Sequence, residues 1–358
     1  MDYIDRQQTL VNLFTIHQRM RKQHDTEGVR GINEAIRVVT RMPHGEAELA
    51  PPRGEWRRKK GNGMTLAGMV RRSVERLRAF EPPEGYYLAF SGGKDSVVCK
   101  ALCDLAGVKY DAHYRVTSVD PPELVKFIKE QHPDVSLDVP KDKSGKPITM
   151  WTLIPRKRMP PTRLSRYCCA ELKETGGDGR KTITGVRWAE SMARKRSQGE
   201  VTIDGGARLI ADNPDFSATP KGWYVLTNDN EDARKMVEMC VPRAKVCVNP
   251  IIDWTDDEVW EFIRAERIPY CGLYDCGMKR LGCIGCPLAG RKARELEFAR
   301  WSSYQSAYLR AFERMLEARR QRGMPTNWQT PRDVMRWWMQ YDVLPGQMSI
   351  FEEYDDEW

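Results

Sequence analysis

The sequence predicts an α/β fold, in which a doubly wound, mainly parallel sheet carries helical additions at both ends. Between residues 86 and 139, short aromatic and β-branched runs alternate with stretches of helical apolar spacing, which is typical of parallel strands joined by helices. A glycine-rich turn after the first run is the second observation. Ligands of such sheets bind where strands end and helices begin.

The composition fits a globular protein without a membrane span. The chain of 358 residues is 41% hydrophobic, and no run approaches the roughly 18 apolar residues of a membrane helix. The N-terminus lacks an apolar signal core, so a cytoplasmic location is expected, with the 10 cysteines reduced and available to bind a metal or react. The net charge of +8 permits an anionic partner without requiring a polymer.

Five parts are predicted along the chain. Residues 1–50 form an N-terminal helical extension, and residues 51–80 form a basic, proline- and glycine-rich linker followed by a lead-in helix. Residues 81–290 form the α/β domain, with an insertion at about 199–245. Residues 291–343 form a helical C-terminal part, and residues 344–358 an acidic tail.

Within the α/β domain, residue patterns predict individual strands and helices. Strands are predicted over residues 86–90, 110–117 and 135–139, and helices over 122–131, over 230–240 and from about Val97. Residues 141–165 are rich in proline and arginine and predict a loop over the ligand site.

The C-terminal part predicts amphipathic helices over residues 291–320 and from Pro331, the latter capped by Thr330. Aromatic residues alternate with arginines in this region. They can stack nucleic-acid bases, but we expect them to fill a core between helices and sheet.

The glycine-rich turn links the first strand directly to a helix. Backbone N–H groups and the positive end of the helix dipole then point to one spot, which suits a phosphate. Two glycines allow close approach, serine hydroxyls add donors and Lys94 adds a charge. Asp95 is interpreted as holding a cation that accompanies the phosphates; an ordinary turn capped by Asp95 or Ser96 is the alternative. The candidate residues are Ser91, Gly92, Gly93, Lys94, Asp95 and Ser96.

The SGGKDS sequence of this turn resembles the PP-loop of ATP pyrophosphatases. Three further segments, RYCCAELK at 166–173, GVRWAES at 185–191 and NPIIDWTDDEVW at 249–260, resemble motifs of the phosphoadenosine phosphosulfate (PAPS) reductase family. The resemblance covers about residues 85–290 and implies ATP and Mg²⁺ as ligands. It adds Gly185 and Arg187 to the nucleotide site, with Lys94, Asp95 and Arg187 as catalytic residues. Thr255 and Glu258 form a capping box and are interpreted as structural.

Cysteines near the end of the domain predict a metal centre. Cys283 and Cys286 form a CxxC pair, which binds zinc or an iron–sulfur cluster or undergoes redox chemistry. Resemblance to iron–sulfur members of the family implies a [4Fe–4S] cluster, with zinc as the alternative. The implied ligands are Cys168, Cys169, Cys283 and Cys286. In a second version, similar to sulfur-inserting relatives, Cys271 and Cys276 replace Cys168 and Cys169.

The resemblance implies an adenylating sulfurtransferase. Such an enzyme cleaves ATP between the α and β phosphates and attaches AMP to an acceptor oxygen, which then leaves when sulfur attacks. The acceptor is DNA, tRNA or a small molecule, and a cysteine desulfurase or thiol reductant is an expected partner.

Two alternative functions are a sulfonucleotide reductase that produces sulfite and an inactive nucleotide-binding scaffold. Sulfonucleotide reductases usually carry an altered loop and a C-terminal catalytic cysteine. This chain keeps Gly92-Gly93-Lys94-Asp95 and has no cysteine after Cys286.

The tail segment Gln347–Phe351 resembles the short peptide by which bacterial proteins bind the replication sliding clamp. Its apolar residues suit a groove, and Pro345-Gly346 would separate it from the preceding helix. The alternative is that Ile350 and Phe351 pack back on that helix.

Overall fold

A computed structural model describes residues 65–205 and 207–340 of the chain. The predicted N-terminal extension, the basic stretch up to residue 64, and the acidic tail with Gln347–Phe351 lie outside these residues. Within them, no helix combines the length and apolar character needed to cross a membrane.

The described residues contain a mainly parallel sheet, as predicted. Its strands are β1 (Tyr86–Ala89), β2 (Tyr110–Arg115), β3 (Ser136–Asp138), β4 (Thr182–Ile183), β5 (Val201–Gly205), β6 (Phe216–Ala218), β7 (Tyr224–Leu226) and β8 (Ala244–Val248). They lie in the order β3-β2-β1-β4-β8-β5-β7-β6. The first five in this order pair in parallel, and the last three extend the sheet in antiparallel fashion.

Helices flank the sheet in the described part of the chain. They are α1 (Leu66–Ala79), α2 (Lys94–Ala106), α3 (Pro122–Gln131), α4 (Met150–Lys157), α5 (Tyr167–Leu172), α6 (Met192–Ser197), α7 (Ala207–Ile210), α8 (Glu231–Cys240), α9 (Asp256–Ala265), α10 (Arg291–Arg300), α11 (Ser302–Gln321) and α12 (Pro331–Trp338). A 3₁₀ turn lies at Trp188–Glu190.

The central strand β1 lies in the core, and its consecutive residues Tyr86, Tyr87 and Leu88 are all buried. In β1, Tyr86 and Leu88 are fully buried, and Leu88 pairs with Ala112 of β2 and Ile183 of β4. Ser73 of α1 ties a helix to the segment after β8, because its hydroxyl donates to the Pro250 carbonyl at 2.7 Å. The predicted phosphate-binding turn therefore follows a buried strand that is paired on both sides.

Residues 199–245, predicted as an insertion, extend the sheet. Strand β5 pairs antiparallel with β8, with Thr202 opposite Cys247, and β7 and β6 follow. The predicted helix over residues 230–240 is confirmed as α8, which begins after the Asn230 cap.

The predicted loop over residues 141–165 is wrong in its middle, where α4 forms. A capping box between Thr149 and Thr152 starts this helix, and Leu153 and Ile154 are fully buried. The prolines of this segment suggested a loop, yet Pro155 lies inside the helix. Burial of its apolar face and a strong cap outweigh the lost backbone hydrogen bond.

The C-terminal aromatic residues fill a core. The predicted helix over residues 291–320 is divided at Trp301 into α10 and α11. Tyr308 and Phe312 are buried and contact Trp338 of α12, with ring centroids 4.7 and 5.4 Å away. The Thr330 cap of α12 is also confirmed.

A pair of alanine substitutions tests this packing. Phe312→Ala removes a fully buried ring and should lower the free energy of unfolding by about 3–5 kcal/mol. Leu296→Ala is the control, because Leu296 is 73% exposed, and should change stability by less than about 0.5 kcal/mol. Chemical denaturation followed by circular dichroism measures both. Equal stability of the two variants would contradict the assignment of α11 to the core.

Candidate nucleotide site and cysteine cluster

The predicted phosphate-binding turn lies between β1 and α2. Gly93 is the N-cap of α2, so the alternative in which Asp95 or Ser96 caps the helix is wrong. Gly92 has φ +72°, and a Cβ there would lie 2.7 Å from Leu124 Cδ1 and 2.8 Å from Ile128 Cδ1. Only glycine adopts this backbone conformation without strain and also leaves room for the side chains of α3. The turn is thus pressed closely onto its neighbouring helix.

Hydrogen bonds hold the turn in a compact form. The Lys94 N–H donates to the Tyr274 hydroxyl at 2.9 Å, and the Ser96 N–H to the Gly93 carbonyl at 3.0 Å. The Ser91 hydroxyl donates to the Ser96 hydroxyl at 3.2 Å and accepts from the Gly93 N–H at 3.4 Å. The backbone N–H and hydroxyl donors predicted for the phosphate site lie close together, and several of them already bond to acceptors within the protein.

Two cations and two carboxylates alternate beside the turn. Lys94 Nζ lies 3.5 Å from Asp95 Oδ2 and 3.6 Å from Asp256 Oδ1. Arg187 Nε donates to Asp95 Oδ1 at 2.7 Å, and its Nη2 donates to Asp256 Oδ1. Lys94 is 6% exposed and Arg187 is 1% exposed. The three predicted catalytic residues therefore lie together, with Asp256 as a fourth member.

These charges stabilise one another. Burial opposes ionisation of Arg187, but Asp95, Asp256 and Glu190 outweigh it and raise the pKa of Arg187. Burial also opposes ionisation of Asp256, but Arg187 and Lys94 lower its pKa below the usual value. Both groups are charged at neutral pH, which is the state that binds anions and cations.

Gly185 allows the segment that carries Arg187 to pack close to the first turn of α2. A Cβ at residue 185 would lie 3.0 Å from the Asp95 Cβ, so the segment after β4 can approach the first turn of α2 only with glycine there. The Arg187 N–H donates to Glu190 Oε1 at 3.1 Å. This bond fixes the backbone from which the guanidinium extends.

The sequence did not indicate the roles of Asp256 and Tyr274. The capping box of Thr255 and Glu258 is confirmed, but the same helix start also directs Asp256 to Arg187. The one signal for Asp256 in the sequence was that an acidic residue follows the N-cap residue. Acidic residues at this position are common in helices that bind no ligand. Tyr274 gave no signal beyond its position between two cysteines.

The four cysteines of the first predicted ligand set lie near one another. Cys168 and Cys169 are on α5, and the Cys283 thiol donates to the Thr117 hydroxyl at 3.6 Å. A hydrogen bond with Cys169, burial, and the proximity of Cys283 and Cys286 raise the pKa of Cys168. The Ile284 N–H donates to the Val119 carbonyl at 2.8 Å. This bond ties the CxxC turn to the segment after β2.

Cys271 and Cys276, the alternative ligands, belong to a separate turn. Burial, together with Glu123, Cys276 and Asp275, raises the pKa of Cys271. Cys276 interacts with Arg300. Their electrostatic partners thus differ from those of Cys168.

Within residues 65–205 and 207–340, no three Cys, His, Asp or Glu side chains converge closely enough to hold one metal ion. A single zinc ion requires such convergence, because each Zn–S bond is only about 2.3 Å long. An iron–sulfur cluster binds each cysteine at a different iron atom. Thiol ligands fit both zinc and an iron–sulfur cluster, so the donor set by itself does not distinguish the two.

The fold and the glycine-rich turn define a nucleotide-binding α/β domain. A model of the phosphoadenosine phosphosulfate reductase domain matches residues 85–289, more than half of the chain. The chain therefore belongs to this family.

Individual relatives are more distant. An adenosine 5'-phosphosulfate reductase of Allochromatium vinosum is 39% identical over 54 residues, which are 15% of this chain and 21% of that protein. An uncharacterised protein of Methanocaldococcus jannaschii is 23% identical over 270 residues, 73% of this chain and 53% of that protein. The chain spans less than two thirds of the length of either relative. The match to a solved PAPS reductase of Candida auris covers 59% of this chain and 87% of that protein, with 16% sequence identity and a TM-score of 0.34.

The glycine requirement of the turn is testable by two substitutions. Gly92→Ala should destabilise the protein by about 1–3 kcal/mol from backbone strain alone, with the clash against α3 in addition. Gly93→Ala is the matched control, because Gly93 has φ −77° and its Cβ would come no closer than 3.4 Å to the Ser91 and Tyr274 oxygens. Urea denaturation of both variants measures the difference. Equal destabilisation would show that the packing of Gly92 does not matter.

Proposed function

We propose that the protein is an ATP-dependent enzyme that transfers AMP to an acceptor oxygen and prepares it for replacement by sulfur. The observation that carries the proposal is that two buried cations, Lys94 and Arg187, share the carboxylates Asp95 and Asp256 beside an intact Gly-Gly-Lys-Asp turn. Reductases that act on a nucleotide without a β,γ-pyrophosphate usually carry an altered loop that lacks this Gly-Gly-Lys-Asp core. The family membership supports a nucleotide as the ligand.

Lys94 and the backbone N–H groups of residues 92–96 would hold the β and γ phosphates. These groups offset the charge that develops on pyrophosphate as it leaves. Arg187 would steady the α-phosphate, since its guanidinium is held in position by Asp95 and Asp256. The Arg187 guanidinium is therefore already oriented before a nucleotide binds, whereas Lys94 must exchange its present partners for phosphate oxygens.

Mg²⁺ would accompany the phosphates, and Asp95 would help to hold it. A carboxylate is the ligand type that Mg²⁺ prefers, together with phosphate oxygens and water. Asp95 now accepts from Arg187 and lies 3.5 Å from Lys94. When Lys94 turns to the phosphates, Asp95 Oδ2 becomes available.

For sulfur transfer, we propose that Cys168, Cys169, Cys283 and Cys286 hold a [4Fe–4S] cluster. Their thiol chemistry and their mutual proximity support this set over the one with Cys271 and Cys276. A cluster bound there would supply the chemistry to bind and deliver sulfur. The hydrogen bond with Cys168, and after it the nearby Arg166, lower the pKa of the Cys169 thiol, although burial opposes this shift. A thiolate is the form that binds iron.

The proposed acceptor is nucleic acid, and DNA is favoured over a small molecule if Gln347–Phe351 binds the sliding clamp. A cysteine desulfurase or thiol reductant would supply sulfur or electrons. A small-molecule acceptor is consistent with the same loop chemistry, since nothing in the adenylation step depends on the acceptor's size.

The second candidate function is a sulfonucleotide reductase. The similarity to adenosine 5'-phosphosulfate reductases favours it, and the intact Gly92-Gly93-Lys94-Asp95 turn counts against it. Sulfite release from adenosine 5'-phosphosulfate, without pyrophosphate release from ATP, would identify this activity. Nucleotide binding with neither reaction would indicate a scaffold.

Substitutions in the turn test the adenylation step. Lys94→Ala and Asp95→Ala should each remove about 2–4 kcal/mol of transition-state stabilisation, and so slow ATP cleavage to AMP and pyrophosphate by roughly 30- to 1,000-fold. Lys126→Ala is the control, because its side chain is 73% exposed on α3 and pairs with Glu130. Pyrophosphate release during turnover measures all three. Wild-type rates in both loop variants would remove the turn from the mechanism.

Cysteine substitutions test the proposed ligands. Anaerobically purified protein should be brown, and Cys168→Ser, Cys283→Ser or Cys286→Ser should each reduce iron content and visible absorbance. Cys271→Ser and Cys276→Ser should keep both.

The reverse pattern would establish the alternative ligand set. A colourless protein with stoichiometric zinc and no iron would contradict a cluster. Metal analysis alongside absorbance separates these outcomes without relying on activity.

A further inference from the structure

Tyr274 reaches the phosphate-binding turn from a distant part of the chain. Its hydroxyl accepts the Lys94 N–H bond at 2.9 Å across 180 residues of sequence. A Cβ at Gly93 would lie 3.4 Å from the same hydroxyl oxygen. The phenol therefore lies against the backbone donors at the start of α2. These are the donors that a phosphate would use.

A compact turn carries Tyr274. The Tyr274 N–H donates to the Cys271 carbonyl at 3.1 Å, and the Tyr274 carbonyl accepts from the Gly277 N–H at 3.0 Å. Its ring packs edge-on against Trp260 of α9, with centroids 5.0 Å apart. Asp256, which contacts Lys94 and Arg187, begins that same helix. The turn and α9 thus enclose the site together.

We propose that Tyr274 is a latch of the phosphate site: its hydroxyl holds the Lys94 N–H in the empty site and is displaced when a phosphate oxygen accepts from that N–H. One N–H makes one strong hydrogen bond. Burial raises the pKa of Tyr274, so the phenol is neutral. An anionic phosphate oxygen is the stronger acceptor, because charge-assisted hydrogen bonds are roughly twice as strong as neutral ones. The inference rests on the phosphate-binding half of the proposed function.

Displacement of Tyr274 has a consequence for the cysteines of its turn. Cys271 is 1% exposed and its carbonyl is bonded to the Tyr274 N–H. Because this bond joins the backbones of residues 271 and 274, we expect a displacement of Tyr274 to loosen the turn that holds Cys271. Phosphate binding should increase access of reagents to this thiol, which belongs to neither α5 nor the CxxC turn.

Binding of inorganic pyrophosphate with Mg²⁺ to the full-length protein tests the latch. Tyr274→Phe keeps the ring on Trp260 and removes only the competing acceptor. It should bind pyrophosphate about twofold to tenfold more tightly than wild type by calorimetry, in line with the net strength of one hydrogen bond. In wild type, saturating pyrophosphate should speed alkylation of Cys271, followed by peptide mass spectrometry.

Tyr270→Phe is the matched control. It lies in the same segment, but its hydroxyl donates to Asp275 at 3.0 Å. It should bind pyrophosphate as wild type does. Equal or weaker binding by Tyr274→Phe would overturn the latch, as would protection of Cys271 by pyrophosphate.

The latch and the adenylation step can fail separately. Tighter pyrophosphate binding by Tyr274→Phe, in a protein that does not cleave ATP, would support the latch and overturn adenylation. Normal ATP cleavage, with the same pyrophosphate affinity in Tyr274→Phe as in wild type, would support adenylation and overturn the latch. Failure of wild type and variant alike to bind pyrophosphate would overturn both.

Discussion

The buried Arg187 guanidinium is the interaction on which the candidate site depends. It joins Asp95 at the start of α2 to Asp256 at the start of α9, and itself follows β4. Three segments distant in sequence are therefore held at one point. A buried cation without its partners would cost several kcal/mol. The carboxylates are thus needed for folding as well as for orienting the site.

Parallel topology explains why the turn and the cysteines lie at the same edge of the sheet. The phosphate-binding turn follows β1, and the segment with Thr117 and Val119 follows the adjacent, parallel β2. Cys283 bonds to Thr117, and its neighbour Ile284 bonds to Val119. Both features are anchored beyond the carboxyl ends of neighbouring strands, where ligands of such sheets bind.

Local signals in the sequence predicted the parts of the fold that local forces determine. The turn at residues 91–96 and the caps at Thr255 and Thr330 each depend on residues within a few positions of one another. Helix α4 was missed, because its stability comes from packing against α11, which lies about 150 residues later in the sequence. Asp256 and Tyr274 were missed for the same reason. Their partners, Arg187 and Lys94, are 69 and 180 residues away.

The site as described is complementary to an anion but already internally satisfied. Lys94 is paired with two carboxylates, and its N–H is bonded to a phenol. A phosphate must replace these contacts, so part of its binding free energy is used to rearrange the site. The internal contacts therefore compete with any anion that binds here, and they lower the affinity for every ligand that cannot replace them, because specificity is a difference between affinities.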